Sequence, residues 1–228
     1  ASLLYLSTTE VYNPGTGGTS NTAFGKNAGD ALDSGGNYNV FLGEEAGSAM
    51  ATGTNNIAIG FGAFDAADAG EDDCIAIGLN ALGNLNHASS VRNIAIGSGA
   101  GDGMGTLAGS TDNVFIGYDA GGGTWATAVS TSNVGIGSYV MDAAMNGALN
   151  NTAVGYNAGT GLTEGDQNTF IGASAGVNIT TADKNTLIGQ ASGFYNETGD
   201  DNTYIGTSAG QGVDGQNNSG NTGVGKYA

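Results

Sequence analysis

The chain of 228 residues contains one Cys, one Pro, one His and four Lys/Arg. A lone thiol, Cys74, cannot close an intrachain disulfide, so a disulfide framework is excluded as the basis of the fold. The four cations, Lys26, Arg92, Lys184 and Lys226, are scattered among 21 Asp/Glu, for a formal charge of −17. That balance excludes nucleic acid and anionic membrane as partners, because phosphate contacts need clustered Lys/Arg. No stretch approaches the ~20 apolar residues that span a bilayer. The opening ASLLYLSTTEVYNP has no basic flank before its short apolar run, so no membrane insertion and no intact signal peptide are expected. Nucleophilic or redox catalysis needs a reactive group beside a base. His87, in NLNHASS, and Cys74 lie apart without a recurring partner, and the glycine strings contain no GxxxxGK[ST], so no enzyme activity is expected.

Large apolar residues are scarce as well: Leu, Ile, Val and Phe make up about 18% of the chain, a composition that with this net charge reads as disorder. Their placement overrules the composition. Among 44 glycines, twelve close a five-residue motif of Asn, β-branched residue, variable residue, apolar residue and Gly. These glycines are Gly25, Gly43, Gly60, Gly78, Gly97, Gly117, Gly137, Gly155, Gly172, Gly189, Gly206 and Gly225, spaced 17 to 20 residues apart. A fixed period of this kind marks a stacked repeat, in which few large residues per unit form a continuous core.

The β-branched and apolar positions lie two residues apart, as in Ile57 and Ile59 or Thr169 and Ile171, which places both on one face of a short strand. The middle position (Ala58, Phe41, Phe115, Phe170, Tyr204) faces the other way. Asn opens the motif in every copy except at Cys74, as in Asn21, Asn56, Asn93, Asn151, Asn168, Asn185 and Asn202. Two readings stand for this column: a hydrogen-bonded Asn ladder along the stack, or a turn residue that starts each strand. Ala follows the motif glycine by three in ten copies, frequently with a second Gly after it, which suggests a tight corner. The sequence thus predicts an all-β parallel solenoid of about twelve coils over 21–228, with 1–20 as an N-terminal cap or connector. Eleven steps of ~4.8 Å give a rod on the order of 50 Å long.

Most of the acid lies in the variable loops, such as DAADAGEDD and YNETGDD. Asp72, Asp73, Asp200 and Asp201 offer hard oxygen ligands and are weak candidates for calcium, but no EF-hand or calcium nonapeptide pattern accompanies them, so no cofactor is expected. Trp125, in the long loop GGGTWATAVSTS, is the first candidate for an exposed receptor anchor, with the loop tyrosines (among them Tyr118, Tyr139 and Tyr156) as further candidate contacts to glycan or receptor.

The motifs NNIAIG, RNIAIGSGAG, NTAVGYNAG, NTFIGASAG and NTLIGQASG resemble the head repeats of trimeric autotransporter adhesins and the related repeats of phage tail fibres. The resemblance covers about residues 21–228, although these coils are longer and more acidic than adhesin-head repeats. It implies a left-handed β-roll, three chains side by side, and a place outside the cell on a virion fibre or bacterial surface, where a host receptor or glycan is contacted. On that reading Phe41, Phe115, Phe170 and Tyr204, on the second strand face, bury against sister chains. The alternative is a head-to-tail filament or sheath subunit with a purely structural role.

Overall fold

The computed structural model describes residues 18–67, 70–105, 109–125, 128–213, 215 and 217–228. Residues 1–17 of the expected N-terminal cap lie outside them. The described chain forms one sheet of twelve parallel strands in sequence order, from β1 (Thr22–Phe24) to β12 (Thr222–Val224). Every strand is the three-residue centre of a motif copy. Register is unbroken, so that Ile57, Ile75 and Ile94 lie side by side, as do Ala58, Ala76 and Ala95. The fold is the all-β parallel solenoid expected from the period. Turns, not a second sheet, complete each coil; outside the strands only the parallel bridges Met104 to Trp125 and Thr131 to Leu149 occur among the described residues.

Each strand stops after three residues because the motif glycine turns the corner. These glycines have φ between +130° and +143°, a conformation that a Cβ makes costly. Consecutive glycines also stack closely: a Cβ on Gly155 would lie 2.7 Å from the carbonyl oxygen of Gly172.

The core corrects one expectation about which strand face is buried where. The middle residues Phe41, Phe115 and Phe170 are 0% exposed inside their own chain, and Tyr204 is partly buried against the same core. They face the interior of the solenoid rather than a sister chain. Opposite them runs the alanine column, Ala28, Ala46, Ala63, Ala81 and onward, also fully buried. A third wall consists of Leu32, Met50, Ala67, Leu85, Met104, Trp125, Met145, Leu162 and Ile179, all within the core.

Volume is traded between two positions of the same coil. At three small strand centres, Ala58, Ala76 and Gly135, the residue after the buried alanine (or valine) is large, namely Phe64, Leu82 and Met141. At Ala23, Ala95 and Ala153 it is Gly29, Gly101 and Gly159, beside which Phe41, Leu82 and Phe170 reach in from a neighbouring coil. Where the strand centre is large, as at Phe41, Phe115, Phe170 and Leu187, that residue is Gly47, Gly121, Gly176 and Gly193. A Cβ on Gly176 would lie 2.6 Å from the Phe170 ring, and one on Gly121 2.8 Å from Phe115. Interiors pack to crystal-like density, so the cross-section can stay constant only if one side gives what the other takes. These glycines therefore make room for a ring, besides turning a corner.

The Asn column forms a ladder. The N–H of Asn39 donates to Asn21 Oδ1 at 2.8 Å, that of Asn56 to Asn39 Oδ1 at 2.8 Å, and the pattern runs on through Asn133, Asn151, Asn168, Asn185 and Asn202. Each Nδ2 also donates to a loop carbonyl, for example Asn113 to Ser130 at 2.9 Å and Asn151 to Gly165 at 2.7 Å. One side chain thus ties the strand start to both its neighbouring coil and its closing loop, and satisfies groups that would otherwise be buried unpaired. Cys74 interrupts the column: its N–H donates to Asn56 Oδ1 at 2.8 Å, but it carries no amide to continue the chain of bonds.

Candidate functional site

With the middle residues inside, the two flanking residues of each strand point outward. They form two parallel columns along the rod, one of Thr22, Val40, Ile57, Ile75, Ile94, Val114, Val134, Thr152, Thr169, Thr186, Thr203 and Thr222, the other of Phe24, Leu42 and then Ile or Val. Exposure is substantial for such apolar side chains, 43% at Leu42 and 40% at Ile171. The stripe runs without a break in register, and it is wholly apolar from Val40 to Ile136. Beyond Thr152 one column becomes hydroxylated while the other stays Val or Ile.

Past the corner glycine the apolar surface continues. Phe61, Leu79, Tyr118 and Tyr156, each directly after its glycine, are 50–56% exposed. Tyr139 stands between the two tyrosines, with ring centroids 5.3 Å from Tyr118 and 6.1 Å from Tyr156, both pairs edge to face. The sequence offered these tyrosines only as scattered candidates; the stack of successive coils brings them together.

Trp125 is not an exposed anchor. It is 5% exposed, packs edge-on against Phe115 at 5.7 Å between ring centroids, and belongs to the third core wall. Its backbone N–H donates to the Gly103 carbonyl at 2.8 Å, which holds this loop in register with the coil before it, while its indole N–H is buried without a partner among the described residues.

The loop acids brace the coils. Asp72 Oδ1 accepts from the N–H and hydroxyl of Thr54 at 2.7 and 2.8 Å. Asp166, Asp183 and Asp200, each two residues before a ladder Asn, accept from the backbone N–H of Leu149, Asp166 and Asp183 at 2.7, 2.8 and 2.8 Å. Ser90 and Ser110, three residues before Asn93 and Asn113, brace their coils in the other direction, through hydroxyls that accept from the N–H groups of Ser110 and Ser130 in the following coil. The structure separates the calcium candidates: Asp72 and Asp73 sit just before β4 (Ile75–Ile77), Asp200 and Asp201 just before β11 (Thr203–Ile205). Among the described residues no group of three or more His, Cys, Asp or Glu is arranged to hold a metal ion.

Ion pairs also run between coils. Arg92 grips Asp112 with two bonds of 2.6 and 2.8 Å, and Lys26 meets Glu44 at 3.2 Å. Burial pushes the Cys74 thiol up to about 12, so it is no nucleophile at neutral pH. His87 Nδ1 accepts from the Ser89 N–H at 3.2 Å, within its own loop.

Asp65, Asp102 and Asp142 titrate above the usual carboxylate range, chiefly through burial and secondarily through neighbouring acids: Glu45 for Asp65, Asp65 and Asp119 for Asp102, and Asp119 for Asp142. A carboxyl whose pKa is raised on folding binds its proton more tightly in the folded chain, so its contribution is present at low pH and lost as pH rises through the raised value. Asp112, held low by Arg92, acts oppositely and loses its contribution only below its ordinary value near 4. The melting temperature is therefore expected to rise as pH falls from 7 toward about 4, and the triple variant Asp65→Asn, Asp102→Asn, Asp142→Asn is expected to flatten that slope. Circular-dichroism melts across this window check it; a melting temperature that falls steadily with acidification would refute the assignment.

Comparison of the chain with protein-family models, with curated proteins and with solved structures finds no match.

Proposed function

We propose that this chain is the rigid segment of an extracellular trimeric fibre, of the phage tail-fibre or bacterial-adhesin kind, whose apolar stripe packs against sister chains while its corners and loops meet the host surface. The observation that carries the reading is the outward stripe itself. Soluble monomers rarely expose a contiguous apolar patch of more than a few hundred Å², and this one runs two side chains wide along a rod on the order of 50 Å long. Closed symmetry offers one economical cover, the same surface of identical chains. Shared burial of the stripe would also offset the self-repulsion of a net charge of −17. Stiffness follows from the continuous core and ladders, and specificity from the variable loops, as in other repeat rods.

Light scattering across a concentration series tests the assembly. The intact chain is expected to give a fixed mass near three chains, and the double variant Ile77→Asp, Ile96→Asp the mass of one chain with an unchanged far-ultraviolet spectrum. The paired carboxylates would have to be desolvated in the interface, which costs several kcal/mol per ion. A single-chain mass for the unaltered protein rejects the trimer. Open-ended growth with concentration favours instead the head-to-tail filament.

A further inference from the structure

We infer that the tyrosine row Tyr118, Tyr139 and Tyr156 is a binding site for an uncharged, extended polysaccharide chain. The proposal rests on the adhesive half of the function above and adds the place and the chemical class of the ligand. Three features of the row support it.

The first is exposure combined with order. Four rings, Phe41, Phe64, Phe115 and Phe170, are at 0% exposure, whereas Tyr118 and Tyr156 leave 50% and 56% of their surface open. Phe24, Tyr38, Phe61 and Tyr227 are exposed as well, so what sets the row apart is its order. Their edge-to-face contacts with Tyr139, at interplanar angles of 75° and 87°, hold all three rings in place before any ligand arrives. Rings fixed in advance lose little entropy on binding.

The second is spacing. Successive coils set the rings 5.3 and 6.1 Å apart, and two coil steps place Tyr118 and Tyr156 roughly 10 Å apart along the rod, the order of one disaccharide unit in an extended chain. A ring face is electron-rich and attracts the polarised C–H bonds on the apolar face of a pyranose. The phenolic hydroxyls, Asp119 beside Tyr118 and Asn157 beside Tyr156 provide donors and acceptors for the sugar hydroxyls. A row built along a solenoid suits a linear polymer better than a compact ligand.

The third is charge. With 21 acids against four cations, and Arg92 and Lys26 already paired with Asp112 and Glu44, the surface repels sulfated, phosphorylated or sialylated chains. Among glycans without positive charge, that leaves the neutral class.

The test measures binding of the full chain to neutral hexasaccharides of cellulose, chitin, amylose, xylan and mannan, with a heparin hexasaccharide as the anionic comparison, by calorimetry and by chemical-shift changes of the tyrosine rings. At least one neutral hexasaccharide is expected to bind and to perturb the three tyrosines. Each of Tyr118→Ala, Tyr139→Ala and Tyr156→Ala should weaken it about tenfold, with the solution mass and the spectrum of the fold unchanged. Failure of every neutral probe, preference for heparin, equal binding by the triple variant, or a change of mass on Tyr139→Ala would each overturn the proposal, the last by making the row an interface between chains. The two readings fail separately: a single-chain mass with tyrosine-dependent binding removes the trimer and keeps the site, and a trimer without binding does the reverse.

Discussion

Phe170→Ala is expected to destabilise the chain by about 3–5 kcal/mol, the cost of emptying a fully packed aromatic site. The ring fills the cross-section of its own coil and reaches into the preceding one. A Cβ on Gly176 would lie 2.6 Å from it and one on Gly159 2.7 Å. Both of these neighbours lack a side chain, so neither can collapse into the void. Denaturant melts of the alanine variant against the unaltered chain, in conditions where the mass is the same for both, give the number. A loss below about 1 kcal/mol, in the range of surface substitutions, would place the ring outside the core. The outward neighbour provides the contrast: Ile171→Ser removes a side chain that is 40% exposed, and should change assembly more than the stability of the single chain.

Gly155→Ala carries the second large effect, expected at about 3 kcal/mol or more. Strain at a φ of +138° contributes on the order of 1–3 kcal/mol. The new Cβ meets the carbonyl carbon and oxygen of Gly172 at 2.7 Å, and displacing packed backbone adds about 1–3 kcal/mol. Because each coil of a solenoid is stabilised by its neighbours, damage at Gly155 should divide the stack, and the melt should split into two transitions. Gly215→Asn is the control. Its φ is +75° and nothing lies within 4 Å of its added Cβ, so Asn, which tolerates left-handed backbone, should leave stability within about 0.5 kcal/mol. A single unshifted transition for Gly155→Ala would remove the steric account of the motif glycine.

The strands and their register were legible residue by residue. The triplet before each of the twelve motif glycines is a strand, and each pairs in register with the next. What the period could not supply was the inside. Alternation divides a strand into two faces without saying which is buried, and here both carry apolar residues. A partial signal was present in the exchange of volume in some coils: Ala58 with Phe64 and Ala76 with Leu82, against Phe41 with Gly47 and Phe170 with Gly176, whereas Ala23 with Gly29, Ala95 with Gly101 and Ala153 with Gly159 do not follow it. Two positions that trade bulk in the same coil share one space.

Trp125 was misplaced for a related reason. Its loop is long and rich in small polar residues, which reads as exposed. Counted from the motif glycine, however, it falls eight residues on, as Met145 does, where Met50, Leu85, Met104, Leu162 and Ile179 fall seven on. That column is apolar in nearly every coil, and the tryptophan is its largest member. The tyrosine row required the three-dimensional stack, since Tyr139 occupies a different position after its glycine from Tyr118 and Tyr156, and only the edge-to-face contacts bring the three together.

The strict strand order has a kinetic consequence. Thr22 pairs with Val40, and Thr186 with Thr203, so the loop closed before each pairing is short, 17 to 20 residues throughout the sheet. All-β proteins fold slowly when their partners are far apart in the chain. Here each pairing spans about a twelfth of the sequence, within the range of helical bundles. Closing the first pair of coils is the slow event, and every later coil finds its template already built, so the rod should zip from a nucleus, with a rate that depends little on how many coils remain to be added.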